Sequence, residues 1–492
     1  MLSYGKSINK HTINGNARIE FAENNNSSLG FVAVGFPRSS NGNPAFAYGY
    51  QRNSSPSANH VISRRNSILA TLNYSYDNRY NTDISFNYDG STAFGRQNSY
   101  SPFFATGLSW NLHNESFLKD NPMFNQLRLR ANYGVTGNQN FSSTTSISTY
   151  NYLSAYNYYG QGVTLATFAN ENLRWQKTNQ FSAGLDATLL NNRFNLTFNI
   201  YNKITNDLAV AVNLPASTGL IAYPFNAGDL TVKGVELMTK YNIIHKPADR
   251  IFWNVGLTGA RSTQTFNHFN NLLTGLNQSL QNSKSLLRYK DGHSPNDLWA
   301  VQSLGIDPAT GREMFLKKDG TKTFDYDEQD IIALGNGNPL IQGVLSTNIT
   351  YKGFMLGAYM RYIYDQDVLN YALFNKVENI SLTDVVNYNQ DKRALYDRWV
   401  NVGDVSKFRG ISITDNTNPS SRFIQQENSF SLESISLSYD FRDSKWIQKA
   451  GLSNLRISGI TNEVFRWSTV RRERGIDYPY AKMYSLTINA NF

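Results

Sequence analysis

The sequence predicts an all-β chain: an antiparallel, up-and-down transmembrane β-barrel with short turns at one rim and long loops at the other. Three observations carry the prediction. Segments of about ten residues alternate apolar and polar side chains. The connections between them alternate between short and long. The composition combines few charges with many aromatics. Residues 67–90 show the first of these in its plainest form. Ile68, Ala70, Leu72, Tyr74 and Tyr76 fall on one parity, against Ser67, Thr71, Asn73 and Ser75. After a turn at Asp77, Asn78 and Arg79, Tyr80, Ile84, Phe86 and Tyr88 oppose Asp83, Ser85, Asn87 and Asp89. A period of two gives a strand one apolar and one polar face. Such a hairpin suits a soluble sandwich as well as a barrel wall, so the rest of the chain has to decide.

Composition narrows the choice. Charged residues make up 17% of the 492, below the roughly 25% usual in soluble domains, while aromatics reach 13%. A mean hydropathy of -0.45 and the lack of long apolar runs exclude a helical membrane protein. They leave a barrel possible, because half of every barrel strand faces water. No cysteine is present, which removes disulfides and thiolate metal sites. The net charge of +9 is spread thinly, and Arg128 and Arg130 lie on the polar parity of a strand, so no nucleic-acid surface is read from it. The first fifteen residues have no apolar h-region and are no signal peptide. For an outer-membrane protein, the expectation is a signal already removed or a chain beginning partway through a larger protein.

The elements follow in order. Residues 1–65 are the least periodic, with one strand at 12–21 and a long loop after it. Beyond the opening hairpin, Phe104, Leu108, Trp110 and Leu112 alternate with Gly107, Ser109 and Asn111. Next, Leu127, Leu129, Ala131, Tyr133 and Val135 oppose Arg128, Arg130, Asn132 and Gly134. A Tyr-rich loop at 150–160 precedes a hairpin of Phe181, Ala183, Leu185, Ala187 and Leu189 with Phe194, Leu196, Phe198 and Ile200, turning at Asn191 and Asn192. Strands start near Val235 and Trp253. After a long segment at 261–340, residues 345–351 turn at Lys352 and Gly353 into Phe354, Leu356, Ala358, Met360, Tyr362 and Tyr364. Strands at 430–441, 455–460 and 483–492 complete about fourteen.

The short connections are 77–79, 113–124, 191–192, 242–248, 352–353 and 442–451. The long ones lie between them and reach roughly eighty residues, where compact domains seldom exceed about 12–15. Tight turns at one rim and long loops at the other are the periplasmic and extracellular ends of an outer-membrane barrel. On this reading Ile68, Leu72, Leu127, Leu129, Leu185, Phe198 and Leu486 face lipid. Asp83, Asn87, Arg128, Arg130, Asp186 and Thr487 face the lumen.

Several collinear segments resemble the SusC/RagA family of TonB-dependent outer-membrane transporters. They are LNYSYDNRYNTDISFNYDGSTAFG, FLKDNPMFNQLRLRANYGVTGNQN, NENLRWQKTNQFSAGLDATLLNNRFNLTFNIYNKITNDL, the LPASTG…NAGDLTVKGVEL run, LGIDPATGREMFLKKDG and the closing IDYPYAKMYSLTINANF. In the last, Tyr480, Ala481 and Lys482 replace the family's usual Pro-Arg-Thr/Ser entry. The resemblance implies that residues 1–492 are the C-terminal portion of a 22-stranded barrel, with the plug and TonB box outside the chain. It implies import of an oligosaccharide or peptide with a SusD-like surface lipoprotein as lid. TonB–ExbB–ExbD would supply energy through the missing N-terminal sequence. Two other classes stay open: a non-transporting barrel adhesin or scaffold, and a soluble all-β carbohydrate-binding protein.

No catalytic arrangement stands out, and no cofactor or metal is expected. The six histidines are dispersed, and no HExxH, GxSxG or Walker sequence occurs. The acidic run Asp325, Asp327, Glu328 and Asp330 could gather Ca²⁺, but it has Asp330 where an EF-hand loop needs Gly and Asn336 where it needs Glu, so a solvated loop is favoured. Tyr150, Tyr152, Tyr156, Tyr158 and Tyr159 could stack on sugars or grip a peptide; self-packing above the rim is the favoured alternative. Trp299 and Trp399, in the two longest loops, are comparable candidates. Arg471, Arg472 and Arg474 could meet lipopolysaccharide phosphates or form a solvated cluster with Glu473. Phe492, closing an alternating strand, is the candidate assembly signal.

Overall fold

In the computed structural model, one antiparallel sheet of fifteen strands carries the chain. The structure describes all residues except 53–55, 120, 139–145, 215, 220–221, 271, 283–284, 413–414, 443, 472–480 and 492; of 153–157, 161, 211, 213, 216, 222, 281, 445 and 448 it describes the backbone alone. The strands are β1 (Leu2–Ile8), β2 (His11–Gly30), β3 (Ser57–Tyr76), β4 (Tyr80–Ser91), β5 (Tyr100–Asn111), β6 (Phe124–Asn138), β7 (Gln176–Leu189) and β8 (Phe194–Asn206). They continue as β9 (Asp229–Lys246), β10 (Ile251–Asn267), β11 (Ile341–Tyr351), β12 (Phe354–Leu369), β13 (Ile424–Asp440), β14 (Asn454–Ser468) and β15 (Tyr484–Asn491). Each pairs with its neighbours in sequence, so the order is strictly up-and-down.

Cross-strand register separates the two faces. Trp110, Leu129, Leu185, Phe198 and Leu237 are directly opposite one another across β5 to β9. One step along, Asn111, Arg128, Asp186, Thr197 and Met238 form the next row on the other face. The apolar row is open to the surroundings, as are Ile68 (50% exposed) and Leu108 (57%). Apolar side chains left outside by a folded wall call for lipid against them. Buried apolar residues gather instead in small clusters at the long-loop end. Phe94, Phe103 and Trp175 form one; Phe266, Phe269 and Leu273 form another. On the sheet itself, Tyr362 lies across Gly343, its opposite residue, where a Cβ would come within 2.5 Å of the phenol oxygen. An aromatic ring here shields a glycine backbone that has no side chain of its own.

Four boundaries differ from the sequence reading. The loop after residue 21 is shorter, because β2 continues through the Asn24–Ser28 run and pairs with β3 from His11 opposite Tyr76 to Gly30 opposite Ser57. Asparagine and serine disfavour strands, but a long partner supplies their backbone hydrogen bonds. β1, with its mixed pattern LSYGKSI, makes the fifteenth strand beyond the fourteen expected. The turn read at 242–248 lies at 247–250. The Tyr-rich loop is a hairpin, Thr149–Asn157 with Gly160–Thr167. The short turns hold left-handed residues: Asp77 and Asn78 (φ 53° and 54°), Asn191 and Asn192, and Lys352. Asn and Asp tolerate that conformation best after glycine. Among the described residues no helix is long and apolar enough to cross a membrane.

Candidate functional site

Two regions concentrate polar chemistry: the polar face of the sheet and the folded layer made by its longest loops. On the polar face Arg130 reaches across β7. Its Nε donates to Asp186 Oδ2 at 2.8 Å, and its Nη2 to Asp186 Oδ1 at 3.2 Å and Asn199 Oδ1 at 2.6 Å. Thr197 donates to the same carboxylate at 3.2 Å. Gly184, between Arg130 and Asn199, has no Cβ; one would sit 3.0 Å from the guanidinium. Asp83 accepts from Asn73 at 2.5 Å, and Asn87 joins Ser67 to Asp89. Asp83, Arg128, Arg130 and Asp186 thus share a polar recess of about 340 Å³. Arg128 Nε is buried there with no hydrogen-bond partner among the described residues.

The loop layer is held by buried charge. Arg422 Nη2 donates to Glu313 Oε2 at 2.9 Å and Glu378 Oε1 at 2.7 Å, joining three segments far apart in sequence. Ser420 donates to Glu313 at 2.6 Å and Thr417 to Glu378 at 2.9 Å. Burial works against the Arg422 charge, but hydrogen bonds to Glu378 and Glu313 outweigh it and hold its pKa above the usual arginine value. Arg398 is the contrasting case. It donates to the carbonyls of Ala394, Val377, Glu378 and Arg409, and burial lowers its pKa. Beside this network opens a cavity of about 580 Å³, lined by Arg312, Phe315, Phe324, Tyr326, Trp399 and Asn416 among others. Burial, with Glu328 nearby, pushes the Tyr326 phenol up to about 12, so it is a neutral donor at any physiological pH.

The structure separates the aromatic candidates. Trp399 lines the cavity, its Nε1 donating to the Pro308 carbonyl at 2.8 Å. Trp299 is buried, 6% exposed, with its ring 4.5 Å from His293, so it packs the loop layer and presents no surface. Tyr158 and Tyr159 stand at the hairpin tip, 95% and 93% exposed, touching each other edge-on. That corrects the expectation of self-packing: two-strand pairing satisfies the backbone and leaves the rings outside. The Tyr156 side chain, Arg472, Arg474 and Phe492 lie outside the described residues. In the acidic run, Asp325 pairs with Arg312 at 3.1 Å and Asp330 accepts from the Lys318 amide. Among the described residues no group of three or more acidic or histidine side chains could hold a metal. Sequence reasoning missed Glu378, Arg398, Arg409 and Arg422. They sit in aperiodic segments, and only Glu313 lay within a quoted motif.

Residues 2–311, well over half of the chain, match the family described as TonB dependent receptor-like, beta-barrel. The chain belongs to this family. The TonB-dependent receptor P3 of Formosa agariphila is 25% identical over 419 residues, 80% of this chain and 40% of that protein. The TonB-dependent receptor SusC of Bacteroides thetaiotaomicron is 28% identical over 345 residues, 66% of this chain and 33% of that protein. A solved structure of the RagAB peptide transporter superposes with a TM-score of 0.85 at 21% identity, covering 100% of this chain and 54% of that one. The SusC/RagA resemblance therefore holds in both sequence and fold. The chain spans less than half the length of the curated relatives. As a TonB-dependent receptor barrel the sheet resides in the outer membrane, and its family is one of receptors and transporters, not enzymes.

Proposed function

We propose that these 492 residues form the barrel portion of an importer that carries an oligosaccharide or a peptide across the outer membrane. The observation that carries the reading is the opposition of the two faces. One side of the sheet carries a broad belt of exposed apolar side chains suited to lipid. The other holds the Arg130–Asp186–Asn199 network, the recess with Asp83 and Arg128, and the Ser67–Asn87–Asp89 chain of hydrogen bonds, suited to a hydrated lumen. A lumen lined by paired charges and amides passes polar cargo and has no use for apolar cargo. Trp399 at the loop-layer cavity, and separately Tyr158 and Tyr159 at the tip of their own hairpin, supply ring faces for sugars or peptide side chains. The names of the relatives support nutrient import, and one solved neighbour carries peptides.

A SusD-like surface lipoprotein would close over the loop layer, and TonB–ExbB–ExbD would act through sequence outside these residues. Uptake of labelled peptides and labelled oligosaccharides, in cells lacking the gene and in cells with it restored, tests the reading. Restored uptake of one class supports it and names the cargo. Equal uptake of both with and without the gene rejects import.

A further inference from the structure

The outer face of the sheet changes character abruptly at its extracellular edge. Ile200, Val235 and Arg261 are directly opposite one another on β8, β9 and β10, and the next row above is Asn202, Lys233 and Thr263. Ile200 and Val235 are each 42% exposed, and the outward row below holds Leu237 and Gly259. Arg261 and Lys233 therefore stand side by side on the lipid-facing surface where the apolar belt ends. Both are exposed, and among the described residues neither makes an ion pair or a side-chain hydrogen bond. Every other arginine named on the sheet has a carboxylate partner or lies in the polar recess.

The wall also opens here. β10 pairs with β11 only as far as Ala260 opposite Gln342, so Arg261 begins an unpaired edge. A notch of about 240 Å³ follows, lined by Arg261, Thr263, Asn336, Leu340, Asp365 and Asp367 among others. Asp367 accepts from the Asn336 amide at 2.8 Å and Asp365 from Gln426, so the carboxylates are engaged within the notch. Their charge excludes an anion from the notch and leaves the outward side, at Lys233 and Arg261, as the place for one. Around it Ile341 and Tyr364 present apolar surface, 43% and 56% exposed.

We propose that Lys233 and Arg261 bind a phosphate group of lipid A in the outer leaflet, with its acyl chains lying along Val235, Leu237 and Leu257. The occupant follows from the chemistry. Unpaired cations beside hydrocarbon need an anion that carries its own apolar tails, and phosphorylated lipid A at the extracellular edge provides both. The inference rests on the apolar face being the lipid face.

The test uses the full-length protein that carries this chain, purified in dodecyl maltoside, with bisphosphorylated lipid A as probe and native mass spectrometry as readout. Lys233→Gln and Arg261→Gln should each lower lipid A affinity about fivefold, Arg261→Lys should retain most of it, and dephosphorylated lipid A should bind equally to all forms. Wild-type affinity in the Lys233→Gln/Arg261→Gln double variant overturns the proposal, as does equal binding of dephosphorylated lipid A by the wild type. The lipid face is checked separately. These 492 residues contain no cysteine, so Leu257→Cys, with any cysteine elsewhere in the full-length protein replaced by serine, carries a single fluorophore, which brominated lipid should quench. An unquenched label would reject the face assignment itself. A quenched label with unchanged lipid A affinity in the double variant would reject only the phosphate site.

Discussion

Single side chains at the two rims set distinct expectations. At the short-turn rim the Glu115 carboxylate accepts from Trp110 Nε1 at 2.9 Å, Tyr80 Oη at 2.8 Å and Arg79 Nη1 at 3.0 Å. The Trp110 and Tyr80 hydrogen bonds, then Arg79, hold its pKa below the ordinary glutamate value. A carboxylate depressed in the folded state contributes its full stability above its unfolded pKa, about 4.3, and loses it as pH falls through the folded value. Thermal melts of the full-length protein in detergent should therefore show wild type and Glu115→Gln drawing together as pH drops from 7 to about 3. A constant gap over that range would show that the carboxylate charge is irrelevant. At the other rim, Trp399 lies over Gly311, whose φ is 68° and whose Cβ, if present, would meet the ring at 2.4 Å. Trp399→Ala should lower cargo uptake about fivefold, the cost of losing an aromatic anchor at a binding cavity. Trp399→Phe, which keeps a ring and loses only the Pro308 hydrogen bond, should lower it less.

At the level of elements, the loop layer depends on Arg422 more than on any turn or helix. Three segments converge on it: the hairpin strand Glu313–Leu316, the helical turn Leu373–Glu378 and the turn Ser421–Phe423. Arg422→Met leaves buried Glu313 without its cation and Glu378 with only the longer Arg409 contact at 3.8 Å, a loss of about 3–5 kcal/mol for such sites. Hydrogen exchange should rise across residues 302–316 and 371–423, while β10 to β13 stay protected. Uniform exchange across loops and strands would mean the layer is not an independent unit. The contrast with the strands shows what the sequence made legible. β3, β4, β6, β7 and β8 were readable because a two-residue period fixes which side chain faces lipid, and a slip of one residue would reverse every face. Glu378 and Arg422 were not, because their partners are 44 residues apart within aperiodic chain and 109 separate Arg422 from Glu313. Trp299 and Trp399 looked equivalent in sequence for the same reason. Only the fold around them buries one and sets the other against a cavity.

The whole sheet poses a problem that no single strand shows. Each of β2 to β14 has a neighbour on both sides for at least part of its length, but β1 and β15 each have one unpaired edge, and both are exposed along their whole length. Among the described residues they do not pair with each other. In hydrocarbon each unsatisfied backbone group costs several kcal/mol, so a wall of this kind is stable in a membrane only once both edges meet another strand. Aggregation through the open edges of β1 or β15 would compete with insertion. Expressed alone with an export signal, these 492 residues should therefore accumulate as aggregate or degradation product. On an unheated gel they should not run as the compact, heat-modifiable monomer typical of a closed barrel. The terminal strand adds a second part to the same test. If Phe492 is read as an assembly signal, deleting it in the full-length protein should sharply reduce outer-membrane abundance. If it contributes only apolar burial, at most about 3 kcal/mol, abundance should stay near normal and the melting point fall slightly. A heat-modifiable monomer from the 492 residues alone would mean that β1 and β15 close on each other, and the wall would then be a complete small barrel in its own right.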